Sequence, residues 1–360
     1  LFNQSKSMNH IKYLLSLISL CLLSLFISCD NSDDPVAVND TSVTDEDNTT
    51  DDSTDDSEDN TTDDSTDDSM DEISTQILTS SSDIEITKSW TDEPDGYTYP
   101  MTISVPTDTM PSDGFPVCIL LHGKSPAETV EGENGVKMIQ KWSTVLTNHA
   151  LVAPSGYMGT WNLCNETSKA ADIEMVDTLV LLLQQYTNIN PDKIRILGSS
   201  NGAGLTNSVF IENRNPSIDA VCAVVSHLNT SQYHLDNFYK QGNVTDSSMA
   251  YCGYDEIAQA PLTSRRYLNI SNDNDTQIPY SGGYKPDKGL EFLHAQDAIY
   301  IIAQNHGYDG AKLPEAGIPI GTPVVFEYPY LEGEVVHIRG NAGHDTNVTQ
   351  DNYIKDFFDQ

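Results

Sequence analysis

"KIRILGSSNGAGLTNSV", residues 193–209, climbs through Ile194, Ile196 and Leu197 and then sets two serines and an asparagine between glycines. The apolar run reads as a buried parallel strand. Leu205 and Val209, four residues apart after Gly202, read as the start of a helix. Between them, Gly198-Ser199-Ser200-Asn201-Gly202 fits G-x-S-x-G with Ser200 at its centre. A strand, a sharp turn and a helix is the context in which that pattern forms a nucleophile elbow. The central serine is strained there, and side chains two residues to either side would collide, so both positions are glycine. A Gly-rich turn without chemistry is the alternative. A nucleophile requires a base, an acid and an oxyanion hole, and the rest of the chain is read for these.

Buried runs alternate with helical patterns along the chain. Residues 84–90 and 97–106 read as early antiparallel strands, and 115–123, 150–156, 220–227 and 267–275 as buried strands. Helical periodicity covers 136–148, 172–186, 287–306 and 348–358, with a late strand pair at 323–330 and 333–340. This order predicts an α/β fold. The sheet is doubly wound and mostly parallel, with helices on both faces and the site at the carboxyl ends of the strands. Ser200, His122, Asp275 and the loop before His344 all fall at such ends or just beyond. Residues 228–260 have the size of a small cap insertion. Its Tyr233, Phe238, Tyr239 and Tyr251 either pack the cap or present a carbohydrate or aromatic-acyl surface.

For a hydrolase on this fold the chain order is serine, acid, histidine. After Ser200, "YLNISNDNDTQIPYSGG" offers Asp273 and Asp275, which share a face if extended, so alternation does not choose between them. "HIRGNAGHDTN" offers His344 on a loop made flexible by Gly340 and Gly343. His122 reads as a hydrogen-bonded structural residue, and His337, His294, His306 and His234 likewise. His227 ends a strand and either lines the pocket or caps it.

The formal net charge is −36, with 19 acidic residues and no Lys or Arg between Asp30 and Glu72. The remaining domain, with Lys6 and Lys12 also left out, still carries about −19, which argues against nucleic acid, because phosphate contacts need a basic face. His10 and Lys12, after a start expected at Met8, form an n-region, and Tyr13–Ile27 is an apolar h-region too short for a membrane span. It ends in "LFISC", which resembles a bacterial lipoprotein signal with Cys29 as the acylated residue. An ordinary cleaved signal is the alternative, and export follows from either. "DNTTDDSTDDS" occurs at Asp47–Ser57 and again at Asp59–Ser69, a self-repelling spacer with nothing to bury. The expected organisation is residues 1–28 as upstream sequence and signal, 29–72 as acidic linker and 73–360 as catalytic domain. Export permits disulfides. Cys118, inside an apolar strand, reads as a buried thiol, and any bridge is expected among Cys164, Cys222 and Cys252. No metal-type spacing of Cys or His occurs, and neither metal nor cofactor is expected.

From about Asp95 the chain resembles the secreted esterase family of polyhydroxybutyrate depolymerases and feruloyl or acetylxylan esterases, within the α/β-hydrolase fold. The resemblance rests, in order, on "LLHGKSPAE", "LVAPSG", "TWN", "NINPDKIRILGSSNGAGL", "ISNDNDTQIPYSGG" and "GNAGHDTN". It implies Ser200 as nucleophile, Asp275, ahead of Ile278-Pro279-Tyr280, as acid, and His344 as base. It also implies oxyanion donors at the backbone N–H groups of Asn201 and Lys124. Trp161 falls near the family's acyl or leaving-group pocket, and Tyr280 either lines that pocket or fixes the acid loop. Ala203 stands where a third glycine is common, and Asp345-Thr346 where an aromatic-proline pair is usual. The expected activity is a serine carboxylester hydrolase, monomeric, held to a membrane by its lipid alone and acting on esters of polymers. A non-catalytic glycan-binding lipoprotein and a serine peptidase are the alternatives.

Overall fold

A computed structural model describes residues 76–127, 129–164, 169–242 and 249–360. Contacts divide the chain into Leu1–Asp68 and Ser69–Gln360, and every described residue belongs to the second unit. The signal, Cys29 and the whole acidic linker lie outside the described residues.

Nine strands form the central sheet: β1 (Met101–Ser104), β2 (Phe115–Leu121), β3 (Ala150–Pro154), β4 (Ile189–Ser199), β5 (Ile218–Val224), β6 (Arg266–Asn272), β7 (Ile318–Ile320), β8 (Val325–Tyr330) and β9 (Val335–Gly340). Their order is β7-β8-β9-β6-β5-β4-β2-β3-β1. The inner six, β3, β2, β4, β5, β6 and β9, run parallel. β1 and β8 join antiparallel, as does β7 on β8. One register row crosses the parallel region through Val152, Ile119, Ile196, Val221, Tyr267 and Val335.

Both faces of this sheet are covered, which is why its strands are apolar at consecutive positions instead of alternating with polar ones. On β2, Val117, Ile119 and Leu121 join one buried cluster while Cys118 and Leu120 join the other. Helices α1 (Glu133–Trp142) and α5 (Val348–Phe358) cover one face, sending Met138, Trp142, Ile354, Phe357 and Phe358 inward. Helices α2 (Asp172–Leu183), α3 (Asn201–Glu212) and α4 (Ala295–Asn305) cover the other through residues such as Leu179, Val209 and Ile302.

The helix expected from Asp287 begins only at Ala295, after His294 in an extended conformation. Residues 290–292 instead form a strand paired with Gly283–Lys285. Leu290 and Phe292 are buried and Glu291 is exposed, a period of two that ends the resemblance to a helix. Helix α1 likewise starts at Glu133 and stops at Trp142, well short of Asn148. The cap region carries a three-stranded antiparallel sheet of Tyr233–His234, Asn237–Lys240 and Glu256–Ile257. A disulfide joins Cys164 to Cys252 across 88 residues, whereas Cys118 and Cys222 are buried thiols on β2 and β5.

Candidate active site

From β2 the chain moves outward to β3 and then crosses back to place β4 on the other side of β2. Such a reversal opens a crevice at the carboxyl ends of the two strands. His122-Gly123 follows β2 there and Ser200 follows β4. Ser200 has φ 54° and ψ −116°, a conformation sparsely populated for a residue with a side chain. It persists because the turn is packed on all sides. A Cβ on Gly198 would run into the carbonyl of Gly202 and the hydroxyl of Thr206, and one on Gly202 into the carbonyls of Leu121 and His122. The two glycines of the motif are therefore steric requirements.

Ser200 Oγ lies 2.7 Å from His344 Nε2, and His344 Nδ1 lies 2.7 Å from Asp275 Oδ2. The imidazole therefore donates from Nδ1 to the carboxylate and accepts the serine proton at Nε2. Asp275 is nearly buried, and its other oxygen accepts the backbone N–H groups of Gln277 (2.8 Å) and Ile278 (3.1 Å). Asp273 is turned away, with its carboxylate 3.7 Å from Arg339. The choice between the two aspartates follows from where the strand stops. β6 ends at Asn272, and the Asp275 N–H turns back onto the Asn272 carbonyl, so the two acids do not share a face.

Sequence reading missed Asn272, which is 1% exposed. Its side-chain N–H groups donate to the carbonyls of Gly343 (2.9 Å) and Asp345 (2.8 Å), on either side of His344. Its Oδ1 accepts from Ala342 N and from the buried Gln350 amide. Asn274 accepts the Gly343 N–H, and Lys141 pairs with Asp345 at 2.6 Å. The only available signal was the run of Asn and Asp ending an apolar strand, and it does not say which amide faces inward.

On the opposite wall, a Cβ on Gly123 would lie 3.3 Å from Ser200 Cβ, so the backbone after β2 passes directly against the nucleophile. Asn201 is the first residue of α3, and Lys124 lines the cavity beside it. The Asn201 side chain grips the neighbouring loop, accepting Trp161 N at 2.7 Å and donating to Trp161 O at 3.2 Å. His122 Nε2 accepts the Gly156 N–H and its Nδ1 donates to the Gly123 carbonyl. Burial pushes this ring down to about 4, so it is neutral and structural.

The serine opens into a cavity of about 480 Å³. Its apolar wall is Leu163, Ile278, Leu290 and Phe292; its polar wall includes Ser226, Asn229 and Gln277, with Lys124, Asp287 and Lys288 supplying charge. Trp161, Tyr280 and His227, expected to bind substrate, are not among the residues lining it. Trp161 is fully buried and donates Nε1–H to the His122 carbonyl. Tyr280 bonds to His337, and His227 to the Leu293 carbonyl. Each is buried and hydrogen-bonded to a backbone or core group instead. In the cap, Phe238 and Tyr239 are buried, and His234 is stacked between Tyr239 and Tyr251. None of the four cap aromatics lines the cavity.

No protein-family profile and no curated protein matches the chain. Solved structures do. A Bacillus cereus carboxylesterase is 9% identical over 72% of this chain and 93% of its own, with a TM-score of 0.42. A thermophilic esterase of Thermogutta terrifontis is 14% identical over 76% and 91%, also at 0.42. Porphyromonas gingivalis dipeptidyl peptidase 4 is 13% identical over 74% of this chain and 34% of its own, at 0.40. Likeness at this level chooses no activity. The fold is that of the α/β-hydrolases on the chain's own topology, with its parallel sheet, β2/β4 crossover and elbow.

Proposed function

We propose that this chain is an exported, lipid-anchored serine carboxylester hydrolase that works as a monomer on esters of polymers, either a polyester or an acylated polysaccharide. The observation that carries the reading is the unbroken relay from Ser200 through His344 to Asp275, opening onto a cavity. As Ser200 Oγ attacks the ester carbonyl, its proton passes to His344 Nε2, and Asp275 stabilises the imidazolium that results. The carbonyl oxygen gains the charge and is met by the N–H groups of Asn201 and Lys124, each such donor being worth about 3 kcal/mol. Collapse expels the alcohol, protonated by His344, and leaves an acyl-serine. Water, deprotonated by the same histidine, then releases the acid and restores the serine. Attachment at Cys29 fits substrates too large to import.

The test compares the chain with Ser200→Ala on p-nitrophenyl acetate and butyrate, methyl ferulate and a hydroxybutyrate polyester film. Hydrolysis is expected on at least one, and its loss in the variant identifies the nucleophile. The fastest substrate separates polyester from polysaccharide ester. Turnover no higher than the variant's on all of them overturns the reading.

A further inference from the structure

β5 ends at Val224 beside the nucleophile, whose backbone N–H donates to the Val224 carbonyl at 2.9 Å. The next residue, Val225, has φ 50°, a left-handed conformation that a β-branched residue rarely adopts. It is held there from two sides. The Val225 N–H donates to the Ile270 carbonyl at 2.8 Å. The fully buried Asn269 amide donates to the carbonyls of Ala223 and Ser226, both at 3.1 Å, and so clamps the turn across Val225. The residue this turn delivers to the catalytic cavity is Ser226.

Ser226 is 3% exposed. Among the described residues its hydroxyl has no hydrogen-bond partner, yet it is not sealed from solvent, so the little surface it has opens on the cavity it lines. No other described polar side chain of that lining is both buried and unpartnered. The Asn229 amide bonds within its own turn, Asp287 pairs with Lys288 at 3.5 Å, and Ser200 and His344 hold each other. Ser199 is half-buried, and Lys124 and Gln277 are exposed. An alkyl chain packed against Leu163, Ile278, Leu290 and Phe292 would strip the Ser226 hydroxyl of water and return nothing, a costly exchange. A strained turn that persists beside an unmet hydroxyl marks a group held for a ligand.

We propose that Ser226 is a specificity-determining residue whose hydroxyl bonds an ether, carbonyl or hydroxyl oxygen that the substrate carries beside the scissile ester. The cavity then favours oxygenated esters over hydrocarbon esters of the same shape. Its apolar wall packs the carbon skeleton, and Ser226 donates to the oxygen that interrupts it. A site built to hydrogen-bond one substrate group discriminates against the analogue that lacks it, because the buried partner is then left unpaired. The inference rests on the reading of Ser200 as an esterase nucleophile, since it concerns which esters that serine cleaves.

The test uses isosteric pairs in which oxygen replaces a methylene. p-Nitrophenyl methoxyacetate against p-nitrophenyl butyrate probes the acyl side, and 2-methoxyethyl acetate against butyl acetate the alcohol side. kcat/KM is measured for the parent chain, Ser226→Ala and Ser226→Cys, the last nearly equal in size but a poor donor. An ether oxygen also changes the ester's own reactivity, so the readout is the change in preference between parent and variant, in which that reactivity cancels. In at least one pair the preference for the oxygenated ester is expected to fall about tenfold in both variants. Circular dichroism establishes that each variant is folded, and Ser226→Cys serves should Ser226→Ala fail to fold. Preferences that stay the same in both pairs overturn the proposal and leave Ser200 as the nucleophile. Equal losses on the two members of each pair also overturn it, since they make Ser226 a packing residue. No hydrolysis above the Ser200→Ala background overturns the esterase reading and this proposal together.

Discussion

His344 and His337 lie on the same arm of chain, at and beyond β9, and each has a partner on both ring nitrogens. His337 is fully buried between the Asn269 amide oxygen (2.9 Å) and the Tyr280 hydroxyl (3.0 Å), and burial pushes its ring well below the usual imidazole range. Its Nδ1 donates to the amide and its Nε2 accepts from the phenol, a closed neutral chain with no carboxylate to receive a proton's charge. His344 has a carboxylate on one side and, on the other, a serine hydroxyl open to the cavity. A base is thus marked by the chemistry of its partners and by access, not by the presence of hydrogen bonds as such.

The largest effect that could break this contrast is kinetic. His344→Ala is expected to lower kcat/KM for p-nitrophenyl acetate by about 10⁴–10⁶, whereas His337→Leu leaves it within about threefold at a temperature where the variant is folded. Equal losses would mean that both histidines act on the serine.

Next in size is the response of stability to acid. His122, His149 and His227 are buried and held down to about 4. In the unfolded chain each titrates near the ordinary 6.5, so the unfolded state binds more protons between these values and stability falls as pH drops. The contribution is complete above pH 6.5 and is lost toward 4. Urea denaturation should show about 1–2 kcal/mol lost per histidine between pH 7 and pH 5. A flat profile would mean that these rings are charged or accessible.

The disulfide comes third. Cys164→Ser with Cys252→Ser opens an 88-residue loop and is expected to lower unfolding free energy by about 2–4 kcal/mol. It should also loosen Leu163 at the cavity wall and raise KM. Loss of stability with an unchanged KM would detach the bridge from the site.

Asn272→Ala should reduce kcat by about 10–100-fold with little change in KM, because the amide positions His344 and does not touch substrate. Asn272→Gln, too long to hold both carbonyls, should not rescue it. The smallest effect is Tyr280→Phe, about 1 kcal/mol of stability from one lost hydrogen bond to His337, with kcat unchanged. A drop in kcat there would put Tyr280 back in the site from which its burial removes it.

Much of the fold was legible because a parallel sheet covered on both faces writes itself as apolar runs. β2, β3, β5 and β6 lie where those runs are. The stretch after Asp287 misled because its apolar residues fit a helical stripe as well as an alternating strand, and only pairing with Gly283–Lys285 chose the strand. Trp161, Tyr280 and His227 misled for another reason. Their positions next to motifs are correct, but whether an aromatic faces a cavity or the core behind it depends on packing from distant segments.

By itself the sequence determined the parallel sheet, the steric need for Gly198 and Gly202, and the chain order of Ser200, an acid and His344, because periodicity, backbone sterics and order along the chain are local properties. Alternation left Asp273 and Asp275 open, the family resemblance pointed to Asp275, and the structure sets Asp275 on His344; only the tertiary structure made Asn272 the brace of the histidine loop and joined Cys164 to Cys252 instead of Cys222. These are matters of a few ångströms between residues far apart in the chain, set by where β6 ends and how the cap folds back, and no spacing within the sequence encodes such distances.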